Sequence, residues 1–188
     1  MVTSAVKNDK MLPVRLMFQD EARFGRISDP SACWAPTPYR PLIDLALVRE
    51  FKYEYAAISP MDGALDYMTS DKMNTENMNR FLSQVSDAHK DEFNIMILDG
   101  ASSHKSKDLV IPENISLVLL PPYSPELNPV EQVWRILRRN EFANKIFDSL
   151  EKAIGQAEKG LRKMASNGLA MSRLSNWPWI YNAILIAN

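Results

Sequence analysis

The chain has 188 residues, 46% hydrophobic and 24% charged, enough for one globular domain with a sizeable core. Twenty-two Lys and Arg against 23 Asp and Glu leave a net charge of −1, which excludes a global pull on nucleic acid and makes any such contact local. Cys33 is the one cysteine, so an internal disulfide and a cysteine-based zinc site are both excluded, and a reducing cytoplasm is expected. The start, MVTSAVKNDK, lacks the apolar core of a signal peptide, and no window approaches a membrane span, so no membrane partner is expected.

In chain order, residues 1–13 are expected to be frayed. Val14, Leu16 and Phe18 alternate with Arg15 and Met17, a strand pattern that ends in acid at Gln19-Asp20-Glu21. Gly25, Asp29-Pro30 and further prolines then predict a loop with a short edge strand around Ala32 to Ala35; Arg23, Arg26 and Arg40 would line whatever lies near Asp20. A strand-forming run from Leu45 to Ser59, the turn Pro60-Met61-Asp62-Gly63 and a second run from Ala64 to Thr69 predict a hairpin. Asn74 or Thr75 caps a helix to about His89, in which Met78, Phe81, Leu82 and Val85 keep helical spacing.

Ile95 to Leu98 then form an apolar run ending on Asp99 and Gly100, as a buried strand delivers a carboxylate to a sheet edge. Ser102, Ser103, His104 and Lys105 follow in a polar stretch, and Leu117 to Leu120 read as the next strand. Pro121-Pro122 break that strand, and Asn128-Pro129 pair an N-cap residue with proline at the first helical position. Val130, Val133, Trp134 and Leu137 set the apolar face of this helix, with Glu131 on its border and Arg135 and Arg138 on the polar arc beside it. Ser149 opens another helix to about Ala165, and the tail carries Trp177, Trp179, Ile180, Ile184 and Leu185, which are expected to dock on the core. No internal repeat or linker divides the chain.

Asp20, Asp99 and Glu131 thus end a first strand, end a later strand, and stand in the first turn of a helix. Three hard oxygen donors at one sheet edge suit Mg²⁺, which takes one or two carboxylates per ion and keeps positions for water and substrate phosphate. Two such ions support in-line phosphodiester transfer without a covalent protein nucleophile. Ser102, Ser103 and Cys33 lack the partners a nucleophile needs. Each acid also has a plain reading: Asp20 and Asp99 as turn residues, and Glu131 as the N3 partner of a capping box. Glu126, in the preceding loop, is a rival third ligand.

The stretches QDEARFG (19–25) with Trp34-Ala35-Pro36, LDGASSHKS (98–106) and LPPYSPELNPVEQVW (120–134) resemble the catalytic domain of DDE transposases of bacterial insertion sequences, in the mariner-like superfamily. The resemblance implies a ribonuclease H-like α/β fold: a mixed five-stranded sheet flanked by helices, over residues 14–188 with a C-terminal helical extension. It implies Asp20, Asp99 and Glu131 as catalytic and metal-binding residues for two Mg²⁺ ions, replaceable by Mn²⁺. The activity it implies is cleavage and transfer of DNA strands at element ends. The partners it implies are transposon-end and target DNA, a homodimer, and a separate helix-turn-helix polypeptide, because residues 1–13 are too short to hold that DNA-reading region. His104, Lys105, Arg135 and Arg138 are the candidate DNA contacts, with Arg139 beside them, although a basic helical arc is commonly only a solvated face.

Two departures stand out: the last two acids are 131 − 99 = 32 apart, slightly short for the family, and Gly100 stands where asparagine is common. Two other readings remain open, a domesticated or decayed remnant that binds DNA or a partner without cutting, and a ribonuclease H-type nuclease acting on RNA–DNA hybrids.

Overall fold

The structure, a computed structural model, describes residues 12–101 and 106–187, with side chains to residue 182. Its centre is a long antiparallel hairpin, β1 (Val14–Ile27) against β2 (Leu47–Ile58), extended on one side by β3 (Leu65–Ser70). On the other side β4 (Phe93–Leu98) runs parallel to β1, and β5 (Ile115–Leu119) parallel to β4. The strand order β3-β2-β1-β4-β5 makes the mixed five-stranded sheet that the family resemblance implies. Gly63, at φ 72°, closes the β2–β3 turn in a conformation that glycine adopts without strain.

Alternation along the strands sorts the core onto two faces. Met17, Tyr55, Ala57, Met96 and Leu98 meet α1 (Thr75–Ala88) on one face through Met78, Phe81, Leu82 and Val85. Phe18, Ala22, Phe24, Ala56 and Ile58 meet α2 (Val130–Leu137) and α3 (Leu150–Ala165) on the other. Capping fixes both longer helices: the Asn74 side chain accepts from Asn77 N at 3.0 Å and the Ser149 hydroxyl from Lys152 N at 3.3 Å. Two further helices complete the chain, α4 (Gly168–Ser175) and α5 (Pro178–Ala187). Ile180 is buried, Trp177 packs against the same core, and Trp179 meets Phe18 edge-to-face at 6.1 Å, so this part of the tail docks as expected; the side chains of Ile184 and Leu185 lie outside the described residues.

Three local expectations are corrected. The first strand does not end at Asp20: it continues seven residues further to Ile27, so Asp20 stands mid-strand. Gly25, read as a breaker, instead allows β2 to come close, because a Cβ there would lie 2.0 Å from the Glu50 carbonyl oxygen. No strand forms over Ala32 to Ala35; β1 and β2 are joined by irregular chain, whose described ties include an isolated bridge from Asp29 to Ala143. Finally, α4 has no counterpart in the periodic pattern. Its eight residues are held by tertiary contacts, among them the Ser172 hydroxyl donating to the Pro60 carbonyl at 2.7 Å.

Candidate active site

The site forms where the hairpin outruns the parallel half of the sheet. β4 ends at Leu98, level with Gln19 in the parallel register, whereas β1 carries on to Ile27 paired with β2. The last residues paired between the two strands are Phe18 and Ile97, so Asp20 and Asp99 each lie two residues beyond the end of the pairing. Asp20 is on the face that Phe18 turns towards α2 and α3, while Asp99 directly follows the last residue of β4.

Glu131 reaches that face from the first turn of α2. Pro129 already has helical angles (φ −66°, ψ −15°), and the Asn128 side chain accepts from Val130 N at 3.1 Å, so the Asn-Pro start works as the sequence predicts. The same Asn128 donates through Nδ2 to the Gln19 carbonyl at 2.9 Å, which ties the start of α2 to β1 next to Asp20. Val130, Val133, Trp134 and Leu137 bury the helix, leaving Glu131 half-buried on its border.

Asp20 and Glu131 line one cavity of about 710 Å³. Burial, followed by the negative field of Glu131, pushes the Asp20 carboxyl up from 3.8 to about 7, against the Trp134 hydrogen bond, which acts the other way. That bond is direct: Trp134 Nε1 donates to Asp20 Oδ2 at 2.9 Å, while its ring packs against Phe24 with centroids 5.8 Å apart. Trp134 is thus a core residue that also orients an acid. Its place three residues after Glu131, on the same side of the helix, was the available signal.

Asp99 is exposed at the end of β4, and its Oδ1 accepts from Ala101 N at 2.9 Å, a bond to its own turn. Among the described residues no three carboxylate, imidazole or thiolate groups stand close enough to hold one metal ion. The structure brings Asp20 and Glu131 together, with Asp99 on the adjoining strand end. Glu126 is exposed in a short 3₁₀ turn (Pro125–Leu127) and does not line the cavity.

A pair of carboxylates, one of them buried and each in the field of the other, fits a hard divalent cation in donor chemistry, since Mg²⁺ is commonly bound by one or two carboxylates with water and phosphate completing its shell.

The candidate DNA contacts divide. Arg135 is exposed on α2, whereas Arg138 is half-buried with its guanidinium 4.9 Å from the Phe24 ring centroid and lines the cavity. Arg139 is exposed. His104 and Lys105 lie outside the described residues. Of the three arginines expected near Asp20, Arg23 lines the cavity, Arg26 is spent on Glu50 and the Phe147 carbonyl, and Arg40 is exposed in the β1–β2 connection. Sequence reasoning missed Arg49, which enters the same cavity from β2, because only the hairpin register brings it there.

Residues 15–154 match the model of a family described as DDE superfamily endonuclease. The uncharacterized protein y4pE/y4sA of Sinorhizobium fredii (strain NBRC 101917 / NGR234) is 36% identical over 103 residues, covering 54% of this chain and 76% of that protein. Among solved structures, the Mos1 strand transfer complex is similar at TM-score 0.55 and 14% identity, over 87% of this chain and 55% of that one. A Mos1 mariner paired end complex with Mn is similar at TM-score 0.57 and 14% identity, over 87% and 56%. The chain therefore spans little more than half the length of these two, and at such identity the likeness is one of fold, the ribonuclease H-like α/β fold. Among the described residues no helix is long and apolar enough to cross a membrane. With a family match over 140 residues (154 − 15 + 1), the chain belongs to the DDE superfamily endonucleases.

Proposed function

We propose that this chain is the catalytic domain of a transposase that cleaves and transfers DNA strands at the ends of an insertion element, using Asp20, Asp99 and Glu131 as its divalent-metal ligands. The observation that carries the reading is the meeting of Asp20 and Glu131 in one cavity, with Asp20 on the strand that pairs with β4, after whose last residue Asp99 follows. Two Mg²⁺ ions, replaceable by Mn²⁺, would supply activation of the attacking hydroxyl or water and stabilisation of the departing 3′-oxygen. The chain's own part is to hold and aim: Trp134 fixes one oxygen of Asp20, and Asn128 anchors the helix start that presents Glu131. A cation held there would offset the burial and the field of Glu131 that together raise the Asp20 carboxyl to about 7. Similarity to a paired end complex with Mn and to a strand transfer complex supports DNA ends as substrate, a metal requirement and a paired assembly. The homodimer, the separate helix-turn-helix polypeptide, a cytoplasmic location and the contacts of His104, Lys105, Arg135 and Arg138 with DNA belong to the same proposal.

A second reading, a relative that binds DNA without cutting, is favoured by one observation, that among the described residues no three metal-ligating side chains stand close enough to hold one ion. Cleavage of duplex DNA carrying element ends, in Mg²⁺ or Mn²⁺, separates the two. Activity lost in Asp20→Asn, Asp99→Asn and Glu131→Gln supports the first; binding without cleavage, even with a DNA-reading partner supplied, supports the second. Preferential cleavage of an RNA–DNA hybrid would replace both with a ribonuclease H-type nuclease.

A further inference from the structure

We propose that Arg23, Arg49 and Arg138 form a phosphate-binding wall that carries one DNA strand away from the carboxylate pair, along the edge of β1 that β4 leaves uncovered. This rests on the nuclease reading above and adds to it the path of the substrate backbone.

The cavity holding Asp20 and Glu131 continues past Phe24 and Gly25 to Ile27, Arg49 and Phe51. Its volume, about 710 Å³, lies inside the range of roughly 300–1,000 Å³ usual for ligand sites. Asp20 and Glu131 lie towards α2, and the cavity reaches Arg49 on the far strand of the hairpin, with Glu21 and Glu50 interspersed along it. β1 pairs with β4 only as far as Phe18; past the Gln19 carbonyl, which Asn128 Nδ2 occupies at 2.9 Å, it continues to Ile27 paired with β2 alone.

The arginines differ in how they are engaged. Arg26 is neutralised by Glu50 at 2.9 Å and holds the Phe147 carbonyl at 3.0 Å, which makes it a structural residue. Arg23 instead lies 5.2 Å from the Phe51 ring centroid, and Arg138 4.9 Å from that of Phe24. Stacking occupies the face of a guanidinium and leaves its N–H donors at the rim, the geometry suited to phosphate oxygens. Among the described residues none of Arg23, Arg49 and Arg138 has an ion pair, although Glu21 and Glu50 line the same cavity. Two of these guanidiniums are stacked on aromatic rings and all three line one cavity, a set that offers N–H donors to an anion from outside, and phosphates along a strand supply several at regular intervals.

Binding of a fluorescein-labelled random-sequence DNA duplex, read by anisotropy in Ca²⁺ across a salt series, tests this. Each phosphate contact contributes about −0.9 to the slope of log affinity against log salt on duplex DNA. Arg23→Ala and Arg49→Ala should each flatten the slope by about that amount at unchanged melting temperature, with Arg23→Lys and Arg49→Lys restoring most of it. Arg162→Ala, on the exposed side of α3, is the control and should leave it unchanged. Parent-like slopes in both alanine variants, while the parent chain binds DNA, would overturn the wall and leave the nuclease reading standing. No salt-dependent DNA binding by the parent chain would overturn both.

Discussion

Glu54 gives the sharpest quantitative prediction because it is a wholly buried carboxyl outside the candidate active site. It lies on β2 opposite Ala22 and Thr69, facing α3. The Thr69 hydroxyl is 2.8 Å from Glu54 Oε2 and 3.1 Å from Glu158 Oε1, and Glu54 Oε1 has no partner. One hydroxyl proton serves only one of two carboxyls, so the arrangement suits a protonated Glu54. Burial chiefly, then Glu158, push its carboxyl up from 4.5 to about 7, with Thr69 and Lys52 pulling the other way. From pH 4.5 to about 7 the folded chain keeps a proton that the unfolded chain has released, so stability falls as pH rises through that window and the whole cost stands above it. At about 1.4 kcal/mol per pH unit the cost is about 3 kcal/mol. Glu54→Gln removes the charge at constant shape. In urea unfolding it should match the parent near pH 4 and exceed it at pH 8 by up to about 3 kcal/mol. An equal difference at both pH values, or a variant weaker than the parent at pH 8, would refute the reasoning.

Three other substitutions probe how the site is held. Trp134→Phe keeps a ring in the core but deletes the donor to Asp20; since outer-shell partners commonly carry about 10–100-fold in metal affinity, Mn²⁺ binding by calorimetry should weaken at least tenfold. Asn128→Ala loses both the bond to the Gln19 carbonyl and the cap on Val130 N, and should cost about 2 kcal/mol in urea unfolding; a loss below about 0.5 kcal/mol would mean that the apolar face alone fixes α2. Gln19 is buried with both side-chain polar atoms unpartnered, so Gln19→Met should raise stability by about 1–3 kcal/mol, and a lowered urea midpoint would contradict that account.

Much of this protein is written in local signals. The hairpin from β2 to β3, the caps Asn74 and Ser149, the apolar stripes of α1 and α3, and the Asn128-Pro129 start of α2 each depend on residues within a few positions of one another, so periodicity and capping chemistry reveal them. Asp20, Asp99 and Glu131 were legible as site candidates for the same reason, through their places around strands and a helix start. Only the tertiary structure decided that β1 runs through Asp20 and Gly25 to Ile27, because that extension depends on β2 lying close enough to exclude a Cβ. It alone brought Arg23, Arg49 and Arg138 into one cavity from three elements, and aimed the Trp134 indole at Asp20 across 114 positions of sequence. Carboxyl protonation at Asp20 and Glu54 likewise follows from burial and from charges on other elements, quantities that exist only once strands and helices have packed.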